Sequence, residues 1–147
     1  WNQLLTLDIS RETLRQVRFS IGNAHFKLNQ FEKALGEFQL LMNDEQVGDV
    51  TDQARARAGT IMQIQTRYEE SVGYFSEVLE ETDCSDCRRT ARLGLIESYE
   101  FLGELSKAIE VAQTIPTSEF PPQVKDDLLK RLGEKARYYD SGGSRNP

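Results

Sequence analysis

The sequence predicts an all-α protein in which helical hairpins stack side by side as an α-solenoid. Three observations predict it. Apolar residues recur at helical spacing along most of the chain, the pattern returns every 37 residues, and short breaks split each unit into two helices. A period of about 20–50 residues marks stacked units, each too small to bury its own apolar face alone.

The register runs without a gap. A shift of 37 places Gly22 on Gly59, Phe31 on Tyr68, Phe38 on Phe75 and Leu41 on Val78. A second shift places Phe31 on Leu105, Ala34 on Ala108 and Phe38 on Ala112, and a third places Gly22 on Gly133. Three units follow, at 10–46, 47–83 and 84–120. In the first, Val17, Ile21, Ala24 and Leu28 form one helical stripe, and Phe31, Ala34, Leu35, Phe38 and Leu41 form the next. The helices break at Asn29-Gln30, Thr66-Arg67 and Gly103-Glu104. Asn and Gly tolerate the left-handed conformation that ends a helix, whereas Thr66 fits it less well.

The ends extend the scheme. Trp1 lies 37 before Phe38 and Leu4 lies 37 before Leu41, so residues 1–9 read as the end of a preceding helix. Pro121-Pro122 opens a last helix over 121–140, since proline suits a first helical turn. Lys125, Asp126, Lys130, Arg131, Glu134, Lys135 and Arg137 make it polar, as a capping helix must be. Ser141-Gly142-Gly143-Ser144 and the residues to 147 read as a flexible tail.

Small residues mark close helix approach. Gly22 and Gly59 sit mid-helix, where glycine costs about 0.5–1 kcal/mol against alanine. The cost is tolerable if a large neighbour fills the space, and Phe38 and Phe75 are the candidate plugs. Ala34, Ser71 and Ala108 are the equivalent small residues of the second helices.

Composition bounds the function. Apolar residues are 38% of the chain, charged residues 29%, and the net charge is −6. Residues 51–120 carry seven basic and thirteen acidic side chains, so the middle is acidic. This balance argues against a nucleic-acid partner, which calls for a basic face. No run of 18 apolar residues exists, so direct membrane insertion is not expected.

These residues resemble the tetratricopeptide repeat family, whose pattern has a first-helix Gly, a Tyr three later, a second-helix Ala and then an aromatic. Gly22, Ala34 and Phe38 match in the first unit, with His25 in place of Tyr. Gly59 and Phe75 match in the second, with Met62 for Tyr and Ser71 for Ala. Tyr99 and Ala108 match in the third, where Ile96 replaces the Gly. The family period is 34, so this chain adds three residues to each loop, and the family's tryptophan and proline positions are not matched. The resemblance implies a right-handed superhelix of about three helix-turn-helix repeats plus the capping helix.

The resemblance also implies function: a protein-interaction scaffold whose first helices line a concave groove for a partner peptide or helix. The groove positions are Gln16, Phe19, Asn23, Phe26 and Lys27 in the first repeat. In the second they are Gln53, Ala56, Arg57, Thr60, Gln63 and Ile64, and in the third Thr90, Leu93, Glu97, Glu100 and Phe101. Family analogy places such a scaffold in a bacterial multiprotein assembly, as in envelope or polysaccharide-export systems, in periplasm or cytoplasm. Family members that clamp a chaperone's C-terminal carboxylate use a Lys/Asn/Asn/Lys/Arg set, and only Asn23 fits it here. The alternative reading is a structural spacer or self-association module, a homo-oligomer built through the end around Trp1, Leu4 and Leu5.

Chemistry is sparse. Cys84-Ser85-Asp86-Cys87 has the spacing of a redox pair or half a zinc site. A tetrahedral zinc needs four ligands, and the chain has two cysteines and one histidine. The plainest reading is two loop thiols, with a loop disulfide in an oxidising compartment as the other. His25 reads as a buried packing residue. No nucleophile–base grouping or phosphate loop is present, so neither an enzyme nor a cofactor or metal site is expected.

Overall fold

The computed structural model describes residues 3–43 and 49–140, with side chains over 11–43, 50–80 and 82–139. Among the described residues all regular structure is helical. The seven helices are α1 (Gln3–Lys27), α2 (Phe31–Asn43), α3 (Asp49–Ile64), α4 (Tyr68–Glu81), α5 (Ser85–Phe101), α6 (Leu105–Gln113) and α7 (Pro122–Asp140). Each packs against its neighbour in sequence, and α1 also touches α3 and α3 touches α5.

The turns inside the three hairpins are alike. Asn29, Thr66 and Gly103 have φ of 62°, 61° and 77°, and they lie 37 residues apart. After each, a backbone N–H reaches back to close the helix end: Gln30 to His25 O at 2.8 Å, Arg67 to Met62 O at 2.7 Å and Glu104 to Tyr99 O at 2.8 Å. This is the six-to-one bond of a Schellman cap, which satisfies carbonyls that the ending helix would orphan. Thr66 is a β-branched residue in a region that side chains of its shape rarely enter.

The core lies between consecutive helices in three linked clusters. Phe38 packs with Leu41, Ala54, Ala58 and Ile61; Phe75 with Val78, Cys87, Ala91 and Leu95; Ile96 with Ala108, Ala112 and Leu132. A Cβ added to Gly22 would sit 2.6 Å from Phe38 Cε1, and one on Gly59 2.7 Å from Phe75 Cε1. Phe75 also fills the space above Gly94 in α5. In the last hairpin the sizes are exchanged. Ile96 stands at the position of Gly22 and Gly59, and Ala112 stands at that of Phe38 and Phe75, both fully buried in one cluster. A small–large pair became a large–small pair, which conserves volume at the contact.

Three expectations need correction. Residues 3–9 do not end a separate helix: α1 runs unbroken from Gln3 to Lys27. The stretch Leu7-Asp8-Ile9-Ser10-Arg11 has no Gly or Pro to stop it. His25 is not buried; it is half-buried in the last turn of α1, with Nδ1 2.7 Å from Gln30 Oε1. Cys84 and Cys87 are not free loop thiols but are bonded to each other, across the start of α5. The flexible tail at 141–147, the boundary between 46 and 47, Trp1, and the side chains of Leu4 and Leu5 lie outside the described residues.

Candidate functional site

The positions that the groove reading named lie on α1, α3 and α5, and the structure treats them unequally. Several are engaged within the fold. Phe19 packs on Phe38 with ring centres 5.9 Å apart. Phe26 lies edge-on to Phe31 at 5.7 Å and carries the Arg57 guanidinium over its face at 5.2 Å. Leu93 is half-buried against the last cluster. Gln63 reaches from α3 to α5, donating from Nε2 to Gly94 O at 2.9 Å and to Ser98 Oγ at 3.0 Å.

That last contact belongs to a buried polar chain which the sequence does not signal. Ser98 Oγ is also 2.7 Å from Ser71 Oγ, with both serines fully buried. Ser71 occupies the place of Ala34 and Ala108, and its hydroxyl is tolerated because Ser98 and Gln63 lie within reach.

Other groove positions face water. Gln16, Lys27, Arg57, Thr90 and Glu97 are exposed, and Gln53 and Thr60 are half-exposed. Ile64 is 49% exposed and Phe101 68%. Phe101 stacks flat on Tyr68, with centroids 4.6 Å apart and planes 6° from parallel. Ala56 is buried in the middle cluster. Asn23 is half-buried, and its Oδ1 has no hydrogen-bond partner.

Glu100 is not a free groove carboxylate. Arg131 donates to it at 2.9 Å and Lys135 approaches at 3.5 Å, which ties α5 to α7. Beside it, the Glu97 carboxyl is raised from its ordinary value, although part of the side chain faces water. Desolvation of its inner part is the main cause, and the Glu100 charge adds to it while Arg131 opposes it.

Between α3 and α5 lies a concavity of about 330 Å³, lined by Gln53, Ala56, Arg57, Thr60 and Thr90 with Cys84, Asp86 and Cys87. The Cys84–Cys87 bridge thus borders the same face as the groove positions, a placement that spacing in the sequence cannot show. Among the described residues, no three His, Cys, Asp or Glu side chains gather where they could share a metal ion. No described helix is long and apolar enough to cross a membrane.

A scan against protein-family models and a comparison with curated proteins found no match.

Proposed function

We propose that this chain is a tetratricopeptide-type scaffold that holds an extended peptide or an amphipathic helix of a protein partner on the face of α1, α3 and α5. The observation that carries the reading is the combination on that face of large exposed apolar side chains with open polar ones. Ile64 is 49% and Phe101 68% exposed, and Gln53, Arg57, Thr60 and Thr90 line the concavity between α3 and α5. Apolar anchors with polar groups between them suit a peptide, whose backbone needs hydrogen bonds while its side chains need pockets. The right-handed superhelix of about three repeats and a cap, and a place in a bacterial envelope or export assembly, are part of this proposal. No catalytic role is proposed.

The test is selection from a displayed peptide library, followed by affinity measurement on Ile64→Ala/Phe101→Ala. Phe26 is left intact, because its contacts with Phe31 and Arg57 make it part of the fold. A selected peptide should bind the variant at least about tenfold more weakly, since interface anchors typically contribute more than about 1.4 kcal/mol each. A control change on the outer side, Leu40→Ala, should leave binding unaltered. The reading is overturned if no peptide is enriched, or if both variants bind it alike.

A specific observation favours a second reading, self-association through α1. Val17, Ile21 and Ala24 correspond by the 37-residue register to Ala54, Ala58 and Ile61 of α3, and to Ala91, Leu95 and Ser98 of α5. Those six residues are all buried, whereas Val17 is 47% and Ile21 42% exposed. α3 and α5 pack against the helix before them, and α1 carries the same face uncovered beside an open hollow of about 580 Å³. A second copy of the chain covers it in this reading.

A further inference from the structure

We propose that the Cys84–Cys87 bridge is a thiol–disulfide exchange site that accepts a cysteine pair from a protein partner. The proposal does not rest on the peptide-groove reading, because a small dithiol reaches the sulfurs without the rest of the face.

The fold has little structural need of the bridge. It joins residues three apart whose Cα atoms are 5.2 Å apart. So short a loop removes little entropy from the unfolded chain. The segment before α5 is also held without it. Thr82 donates to Asp52 Oδ2 at 2.7 Å, Cys84 N–H donates to Thr82 Oγ1 at 2.9 Å, and Arg88 donates to Thr82 O at 3.2 Å. Asp52 and Thr82 are both buried. Opening the bridge leaves these anchors in place.

The two sulfurs also differ in exposure. Both cysteines line the concavity between α3 and α5, but Cys84 is half-buried whereas Cys87 is only 4% exposed. An incoming thiolate therefore has one sulfur to attack, that of Cys84. The leaving group is Cys87, in the first turn of α5, where the helix N-terminus favours negative charge. Cys84 caps the same helix, and its sulfur accepts the Cys87 N–H at 3.1 Å. A thiolate on Cys84 would be stabilised by that donor, which makes it the better leaving group in the second step.

The exchange balances without an outside oxidant. One partner thiolate bonds to Cys84 Sγ, and the Cys84–Cys87 bond breaks to leave a thiolate on Cys87. The partner's second thiolate attacks its own sulfur in the mixed disulfide and releases Cys84 as thiolate. The partner loses two electrons and becomes a disulfide. Cys84 and Cys87 gain those electrons and take up the two protons that the partner thiols gave up. Return to the bridged state needs a second disulfide, such as a low-molecular-weight one.

The experiment mixes the bridged chain with an equimolar synthetic peptide bearing two reduced cysteines. Alkylation and mass analysis follow the thiols while circular dichroism follows the helices. The peptide should become oxidised one for one as thiols appear on Cys84 and Cys87, with the helical signal unchanged. In a second arm, Cys87→Ser and Cys84→Ser are each treated with oxidised glutathione. Cys84 in the first variant should form the mixed disulfide at least about tenfold faster than buried Cys87 in the second, because exposure and thiolate character control the rate. The proposal is overturned if the bridge resists the dithiol peptide, if opening it abolishes helicity, or if the two variants react equally fast. The first arm uses the unaltered chain, so it decides the matter even if a variant misfolds.

Discussion

Phe75 is wedged between two helices that have no side chain where it touches them, Gly59 in α3 and Gly94 in α5. A methyl group on either glycine would overlap the ring, and overpacking of a close-packed contact costs about 1–3 kcal/mol. Gly59→Ala should therefore lower stability by about that amount in thermal or denaturant unfolding. Gly73 is the counter-case: it lies inside α4 with nothing within 4 Å of an added Cβ. Gly73→Ala should raise stability by about 0.5–1 kcal/mol, the ordinary helix-propensity gain. Equal effects from both changes would deny the wedge. The aromatic plug and its small neighbours were legible in the sequence from their recurrence at 37. Gly94 was not, because its register partners are Ser20 and Arg57, and only the path of Phe75 between α3 and α5 shows why it must be small. The Ser71–Ser98–Gln63 chain escaped for a similar reason, since three polar residues on three helices share no sequence pattern.

The helices owe their ends to local chemistry, so most were legible at the element scale. Asn29, Thr66 and Gly103 each adopt the left-handed conformation that closes a helix. Thr66 is the misfit, because its β-carbon crowds the backbone there at a cost of about 1–2 kcal/mol. Thr66→Gly relieves that strain but adds chain entropy to the unfolded state, so a net gain of about 0.5–1 kcal/mol is expected in equilibrium unfolding. A loss of stability would mean that the hydrogen bond from Thr66 Oγ1 to Gln65 O outweighs the strain. The start of α1 was misjudged by the repeat register, because a phase relation between Trp1 and Phe38 says nothing about where a helix stops. Only a breaking residue does, and there is no Gly or Pro between Gln3 and Ile21. The Cys84–Cys87 segment was misplaced in a loop. Cys84 works as the cap of α5 and Cys87 lies in its first turn, a role that cysteine seldom signals.

At the scale of the whole molecule, the two ends differ. On the α7 side, Lys130, Glu134 and Arg137 are exposed. On the α1 side, Leu14, Val17 and Ile21 are exposed and apolar. If a second copy covers that face, the chain should run as a concentration-dependent dimer in light scattering, and Val17→Glu/Ile21→Glu should return it to monomer with its helicity intact. A monomer at all concentrations would rule out self-association through α1. The contact that joins α5 to the end of the molecule is also of this scale, since Glu100 holds Arg131 and Lys135 from more than thirty residues away.

Helical class, hairpin turns, aromatic plugs and the polar last helix were written in the sequence, because each depends on residues within one or two turns of a helix or on a repeat of the same pattern. Which groove residues stay open was decided only by tertiary structure. Phe26 and Phe101 occupy similar apolar positions near the ends of first helices, yet Phe26 is enclosed by Phe31 and Arg57 while Phe101 lies on Tyr68 and remains mostly in water. The concavity between α3 and α5 that the Cys84–Cys87 bridge borders likewise depends on helices brought together across the fold. Local sequence sets which face of a helix is apolar; the neighbours that cover or expose it come from the packing of the whole chain.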